Sequence, residues 1–545
     1  MAIRHRHSLS CSRATMSQLE SKAPDERFDD LISEEASRAL ARFSHLLATN
    51  SPPSEVEVSD ILNFIDANSK VIGQLNSDIE PLLVKRNALE SCTRSLSLLL
   101  SANRILPFDV LAQIFARTVD LDADPWRLAQ ICRRWRAIAL GCPNLWAAID
   151  IDHGASNTSM RPSGYPLDKL QSVLERSATY PLSVRFCTVV KVHDDAPVSF
   201  DADRLFGVLV AHSERWESLF LRCTPRLFPL LAQVKGKLPM LRRLALDMCF
   251  DAIALDAFET APLLSSLDLT GGFRIAAPCT ILLPWAHITR YYGDFSMWDD
   301  HVTALEHLRN VIDCAITLNN WAPNENEDIL DLPRLRRLYV ARGDFLEFTA
   351  PLLQELVVEP LQMTPPADAL TNISDLISRS SCQLTKLCLI SAIPSRSDVQ
   401  KLISVLQLLP SLADVCILSR KFNEHMNLDE LVTALAVATP CILPRMERLT
   451  IGGYAFYEWS ALVDMVDGRL HANPLVCSAI RGFALLHRRL GRPMPREELL
   501  RLEMLRSAGL DLTVIEGPGA HEAMVNVPFF RAGTSSGMYW APEYT

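Results

Sequence analysis

Few residues of this sequence have the types and spacing that a catalytic or metal site requires. His521 and Glu522 begin like the helical zinc motif of metalloproteases, but Val525 stands where that motif places its second histidine. The Gly-Pro-Gly run at 517–519 lacks the third glycine of a nucleotide-binding loop, and we expect no helix to follow it. Isolated histidines such as His301 are more often hydrogen-bonded structural residues than ligands. The sequence therefore predicts no catalytic residue, no metal site and no cofactor, and we expect the protein not to be an enzyme.

The charge, the apolar stretches and the cysteines of the sequence indicate which partners and which cellular compartment to expect. Lys and Arg total 54 against 64 Asp and Glu, a net charge of −10 that gives no reason to expect nucleic acid as the main partner. The longest uncharged apolar stretches, at 275–289 and 431–444, are shorter than the roughly 18 residues a membrane span needs, so no transmembrane helix is expected. The 14 cysteines never form Cys-x-x-Cys. We interpret most of them as buried, reduced thiols, which indicates the cytoplasm, the nucleus or both.

The first hundred residues are predicted to be helical in part. Residues 1–60 form a poorly ordered lead-in with a possible short helix at 29–48, and the basic segment 1–17 is either an unstructured start or a targeting segment. Residues 61–102 have apolar side chains at intervals of three, four and seven, which predicts an amphipathic helix that Pro81 kinks or restarts. Two roles stay open for this helix. Packing on its own chain is favoured because the register is short for a zipper, and a coiled-coil contact with a partner is the alternative.

Residues 103–151 form a compact block of three short helices. The first begins at Leu106-Pro107, the second at Asp124-Pro125, where an N-cap is followed by a proline, and the third surrounds 144–149. Helices this short bury only a fraction of their apolar surface alone, so another surface must cover the rest. The apolar residues of this block include Leu106, Pro107, Val110, Leu111, Ile114, Phe115, Leu128, Ile131, Cys132, Trp135, Leu145 and Trp146.

This block resembles the F-box. The family order is Leu-Pro followed by an acidic and aliphatic helix, then an aliphatic-Cys-basic-x-Trp helix, then Leu-Trp, and this chain has 106–115, 131–136 and 145–146 in that order. The longer layout from about 70 to 150 resembles F-box chains abundant in mushroom-forming fungi. The resemblance implies that the residues named above bind the Skp-type adaptor of a cullin ligase. Trp135 and Ile131 have an alternative role as core of the hairpin.

An apolar-x-x-apolar-x-apolar pattern recurs after residue 165, at intervals near the roughly 20 to 29 residues of leucine-rich repeats. We expect residues 165–515 to form stacked units sharing a parallel sheet, with a degenerate copy near Trp285-Ile288. Because the usual Asn or Cys after the last leucine is mostly absent, the array should be irregular. The clearest copies are Trp216-Leu219-Leu221, Leu241-Leu244-Leu246, Leu264-Leu267-Leu269, Val311-Cys314-Ile316, Leu335-Leu338-Val340, Leu353-Leu356-Val358, Leu384-Leu387-Leu389, Leu412-Val415-Ile417 and Met446-Leu449-Ile451.

The sequence thus predicts an α+β multidomain protein: an N-terminal helix, a three-helix F-box, an irregular leucine-rich-repeat-like α/β solenoid and a flexible tail at 516–545. The resemblance implies an adaptor that joins an unknown protein substrate to a cullin-type ubiquitin ligase. A scaffold that binds proteins outside any ligase, with the box as a capping hairpin, is the alternative.

Overall fold

A computed structural model describes most of the chain in two compact units, one ending at Pro107 and the other beginning at Phe108. Each unit is described by itself. The described residues are 37–49, 51–100, 102–120, 124–153, 165–188, 201–222, 225–247, 255–270, 281–295, 298–318, 329–341, 347–359, 366–391, 396–419, 426–437, 440–453, 455–456, 458–487 and 494–525.

The first unit is dominated by one helix, Glu55–Leu99, with short helices Ser44–Leu47 and Ala102–Ile105 on either side. The long helix begins at a capping box: the Ser54 hydroxyl accepts from the Glu57 amide, and the Ser54 amide donates to the Glu57 carboxylate at 2.8 Å. It continues past Pro81 without interruption, so the predicted restart is wrong; a proline removes one hydrogen bond, which a 45-residue helix tolerates. No residue of this helix is buried in the described structure, and its apolar face is exposed within the first unit.

The second unit alternates helices and strands from Phe108 onward. Its helices are Phe108–Asp120, Pro125–Ile131, Arg133–Gly141, Leu167–Arg176, Asp201–Val210, Phe228–Leu231, Trp298–His307, Pro366–Ser380, Arg396–Gln407, Asp429–Leu435, Trp459–Leu470, Arg496–Ser507 and Pro518–Val525. Single 3-10 turns occur at Pro143–Trp146, Ser213–Arg215, Pro225–Leu227, Ala232–Val234 and Trp285–His287.

The strands of this unit are, in chain order, β1 (Ala148–His153), β2 (Leu182–Thr188), β3 (Trp216–Arg222), β4 (Arg243–Asp247), β5 (Ser266–Thr270), β6 (Arg290–Phe295), β7 (Asp313–Leu318), β8 (Leu330–Asp331), β9 (Arg337–Ala341), β10 (Phe348–Thr349), β11 (Glu355–Glu359), β12 (Lys386–Ile390), β13 (Asp414–Leu418), β14 (Met426–Asn427), β15 (Arg448–Gly453), β16 (Ala455–Phe456), β17 (Gly482–His487) and β18 (Asp511–Glu516). Among the described residues, fourteen of these strands form one sheet, and β8 with β10 and β14 with β16 form two-stranded pairs.

The main sheet runs in chain order from β1 to β18 with parallel pairing between neighbouring strands. Each connection between two neighbouring strands therefore crosses over and begins the next strand beside the previous one, in the same direction, as in a stacked α/β array. The predicted triplets supply its core: Leu244 pairs with Leu267 and Leu246 with Leu269, and every residue of the predicted copies is buried. The α/β solenoid-like character of this part of the chain follows from that ladder.

The degenerate copy is Ile288-Tyr291-Gly293 in β6, and its glycine has a packing cause. Gly293 pairs with Leu269 and Ile316 on neighbouring strands, at a position that leucine or a similar residue fills elsewhere. A Cβ atom at Gly293 would lie 2.5 Å from the Tyr291 hydroxyl and 2.9 Å from His301 Nδ1. The space of the missing leucine is therefore taken by a tyrosine and a histidine.

Residues 518–525 correct the predicted flexible tail. They form a helix that contacts β15, β17 and β18, and its Ala520 and Met524 are fully buried in one cluster with Leu418 and Leu486. The helix also shows that the Gly-Pro-Gly run is followed by a helix, against expectation. The apolar side of this helix packs on the face of the sheet that does not carry the repeat leucines. The spacing of apolar residues in the sequence does not reveal this contact. The part of the predicted tail from 526 to 545 lies outside the described residues. Among the helices that the structure describes, none is both long and apolar enough to cross a membrane.

Candidate functional site

In the described part of the chain, no group of three or more His, Cys, Asp or Glu residues is placed to hold a metal ion. His301 is buried among aromatic rings, where desolvation lowers its pKa to about 3 and keeps the imidazole neutral near pH 7. Burial raises the pKa of the Cys187 thiol to about 11, so this cysteine is a poor nucleophile. The ten described cysteines are free thiols; six of them are buried, while Cys92 and Cys132 are exposed.

Local sequence signals set the helices of the box. The Trp126 amide donates to the Asp124 carboxylate at 3.0 Å, and Pro125 occupies the first position of that helix. The chain is extended at Cys132, so the predicted single second helix is two helices, Pro125–Ile131 and Arg133–Gly141. The Cys132 sulfur accepts from the Trp135 amide at 3.4 Å and thereby caps the following helix.

Aromatic rings hold these helices to one another and to the helix Leu167–Arg176, which follows β1. The rings of Phe115 and Trp135 lie 4.7 Å apart, and those of Trp126 and Trp146 lie 5.0 Å apart. The Arg176 guanidinium lies 3.9 Å from the Trp126 ring and 4.6 Å from the Trp146 ring, within cation–π range. The box from Phe108 onward is therefore packed onto the beginning of the solenoid.

Five of the predicted contact residues are buried in the box. They are needed inside the block because a small helical hairpin has few other large side chains to fill its centre. Trp146, for example, is fully buried, and its indole N–H donates to the Ala139 carbonyl at 2.7 Å. These five residues are Leu111, Phe115, Leu128, Leu145 and Trp146, and their contact with a partner stays a prediction.

The remaining predicted contacts stay accessible. Val110 and Ile114 are 39% and 44% exposed and lie one turn apart on the same helix face, while Ile131 is 60% exposed. Cys132 is exposed and Trp135 is half-buried. In the first unit, Leu106 is half-buried and Pro107 is exposed.

In the part of the box that belongs to the second unit, two further large apolar residues are exposed and were missed by sequence reasoning. Phe108 and Leu140 are each nearly half exposed. A Cβ atom at Gly141 would lie 3.7 Å from the Phe108 ring, so the beginning of the first helix meets the end of Arg133–Gly141. We call Phe108, Val110, Ile114, Ile131 and Leu140 the exposed box residues. Phe108 stands at a position that the motif leaves variable and Leu140 lies outside the motif residues, so their apolar type was the only available signal.

The second unit thus combines a short helical block, which has accessible apolar residues, with a parallel α/β solenoid onto which the block packs. Residues 104–152 match the family model described as F-box-like, so this chain carries an F-box-like domain. A comparison with curated proteins gives no match. Among solved structures, the chain is similar to a protein from Bacteroides fragilis at 12% identity and a TM-score of 0.26, over 59% of this chain and 84% of that one. A likeness at this score does not define a shared fold.

Proposed function

We propose that this protein is a non-catalytic substrate adaptor of a cullin-type ubiquitin ligase, and that its box binds the Skp-type adaptor subunit. The match to the F-box-like model supports the general kind of partner. Binding to the cullin core through that subunit belongs to the same proposal. The fungal resemblance of the longer layout stays a prediction, as does a cytoplasmic or nuclear location.

One observation carries this proposal: apolar side chains of the box remain in water although the box is packed on the solenoid. Val110 and Ile114 extend the face of Leu111 and Phe115, which are buried. Apolar residues that a folded block leaves exposed in a cluster are typical of a protein interface. The buried residues would then hold the exposed ones in place, as interface anchors require.

The test is a double substitution, V110D/I114D, with binding to a purified Skp-type adaptor measured by calorimetry. Both side chains are exposed, so the folded chain should keep its thermal midpoint. Two anchors of an interface together should cost at least about 100-fold in affinity. The matched control is M240D/L352D, because Met240 and Leu352 have nearly the same exposure as Val110 and Ile114 but lie in the repeats.

Adaptor binding that both double variants retain would overturn the proposal. The alternative, a scaffold whose box is only a capping hairpin, has its own support in the packing of Trp126 and Trp146 on Arg176. In that case the wild-type chain would not bind the adaptor subunit at all.

For the substrate we propose the open face of β1 to β4, which carries paired charges. Arg185 and Asp150 form an ion pair at 3.2 Å, Arg222 and Asp247 form another, and Arg185 also lies over the Phe220 ring. Farther along the sheet, the same face is buried in the cluster that includes Ala520 and Met524. Proteins retained by the V110D/I114D chain should be lost on Arg185→Glu; if none depends on Arg185, this face is not the substrate surface.

A further inference from the structure

The helix Glu55–Leu99 has a heptad pattern that the proposed function does not use. Apolar residues follow alternating steps of three and four from Ile61 to Leu96, which places them along one seam. Eight of the eleven seam positions are Ile or Leu: Ile61, Ile65, Ile72, Leu75, Ile79, Leu82, Leu89 and Leu96. The other three are Asn68, Arg86 and Thr93.

The seam is in water. Except for the half-buried Ile61, its Ile and Leu side chains are exposed, from 45% at Leu75 to 69% at Leu89. Each such side chain offers on the order of 100 Å² of apolar surface, by the area that corresponds to its transfer free energy. Two copies of the seam together reach the roughly 1,200–2,000 Å² that stable protein interfaces bury. An exposed apolar stripe of this length indicates an interaction surface.

The residue types indicate which partner fits. Branched Ile at the a positions 65, 72 and 79 and Leu at the d positions 75, 82, 89 and 96 favour two parallel strands. The outer positions hold mostly polar or small residues, such as Asp66, Lys70 and Gln74, and Pro81 falls among them, away from the seam. A second copy of the same helix supplies the complementary seam without any additional sequence requirement.

Charge placement agrees with a parallel arrangement. Lys85 is at a g position and Glu90 at the e position of the next heptad, the two positions that form ion pairs between parallel helices. By two-fold symmetry this pair occurs twice. Arg86 is the unfavourable element, since it stands at an a position, although it also forms an ion pair with Glu90 of its own helix at 3.5 Å.

We propose that Glu55–Leu99 forms a parallel, in-register two-stranded coiled coil with a second copy of this chain. The dimer does not depend on whether the box binds a ligase subunit, so each proposal can fail while the other stands.

The test compares two variants of the full chain by sedimentation equilibrium. Leu82 and Val84 are both 63% exposed and two residues apart, but Leu82 is at a seam position and Val84 is at an outer one. We expect the wild-type chain and V84D to be dimers, and L82D to dissociate at least about 10-fold more readily because a carboxylate then stands in an apolar seam.

A third variant, R86I, replaces the interrupting cation and should tighten the dimer, a result that unfolding cannot mimic. The control is far-UV circular dichroism, in which L82D should keep the helix content of the wild-type chain. A wild-type chain that stays monomeric at tens of micromolar, or equal dissociation of L82D and V84D, would overturn the proposal.

Discussion

Similar side chains in the box have different environments, and the difference decides their roles. Leu111 and Ile114 are both aliphatic residues of one helix, yet Leu111 is buried and Ile114 is exposed. The sequence predicts the amphipathic helix from spacing alone. Which flank is covered depends on the Phe115–Trp135 contact and on the solenoid behind the box, because a short hairpin has more apolar faces than it can bury itself. The motif therefore identified apolar residues of the box but could not separate the exposed side chains from the buried ones.

His301 gives a prediction at the same scale. Its folded pKa is lowered to about 3 by burial, against about 6.5 in an unfolded chain. Above pH 6.5 the imidazole is neutral in both states. As the pH falls below 6.5, the unfolded chain takes up a proton that the folded chain does not, so the free energy of unfolding decreases by about 1.4 kcal/mol per pH unit until about pH 3.

The variant H301F should remove this part of the pH dependence. Urea unfolding at pH 7 and pH 5 should show a loss in the wild-type chain that exceeds the loss in the variant by about 2 kcal/mol. The control is H471N, because His471 is exposed, and it should keep the wild-type difference. Equal losses in H301F and the wild-type chain would mean that His301 is not held neutral by burial.

At the scale of elements, the predictable features are those with a periodic pattern. The repeat triplets appear as strands because alternating buried positions match the period of a strand. The strands β1 and β17 were not among the predicted copies, although Trp146-Ile149-Ile151 and Ile480-Phe483-Leu485 have the same spacing. The helix Pro518–Val525 was missed because its short Pro- and Gly-containing sequence is typical of a turn. That helix forms because its residues Ala520 and Met524 are covered by the sheet, a long-range contact that local sequence does not encode.

The contribution of this helix is measurable with two substitutions of the same type. M524A removes a fully buried side chain and should lower the free energy of unfolding by about 2–5 kcal/mol. M504A changes a residue that is 71% exposed on Arg496–Ser507, and should cost less than about 0.5 kcal/mol. Equal effects in thermal unfolding would restore the view of 516–525 as a flexible segment.

The whole second unit follows from a simple physical requirement. Each strand–helix repeat has one apolar face that it cannot bury alone, so neighbours stack and the terminal repeats need a cover. At the beginning of the array the box provides it, through Trp146 and the Arg176 guanidinium. The sequence indicated the box and the array separately. It could not show that they share a core, because the rings and the cation that join them lie far apart in the chain.

The most direct measurement of the central claim is amide hydrogen exchange of the full chain, alone and with a purified Skp-type adaptor. We predict slower exchange in the complex at Phe108–Asp120 and Arg133–Gly141, the helices that carry most of the exposed box residues, with the strands of the sheet unchanged. If no complex forms, or if protection falls on the strands while Phe108–Asp120 exchanges as before, the exposed box residues are not a docking site and the adaptor function is contradicted.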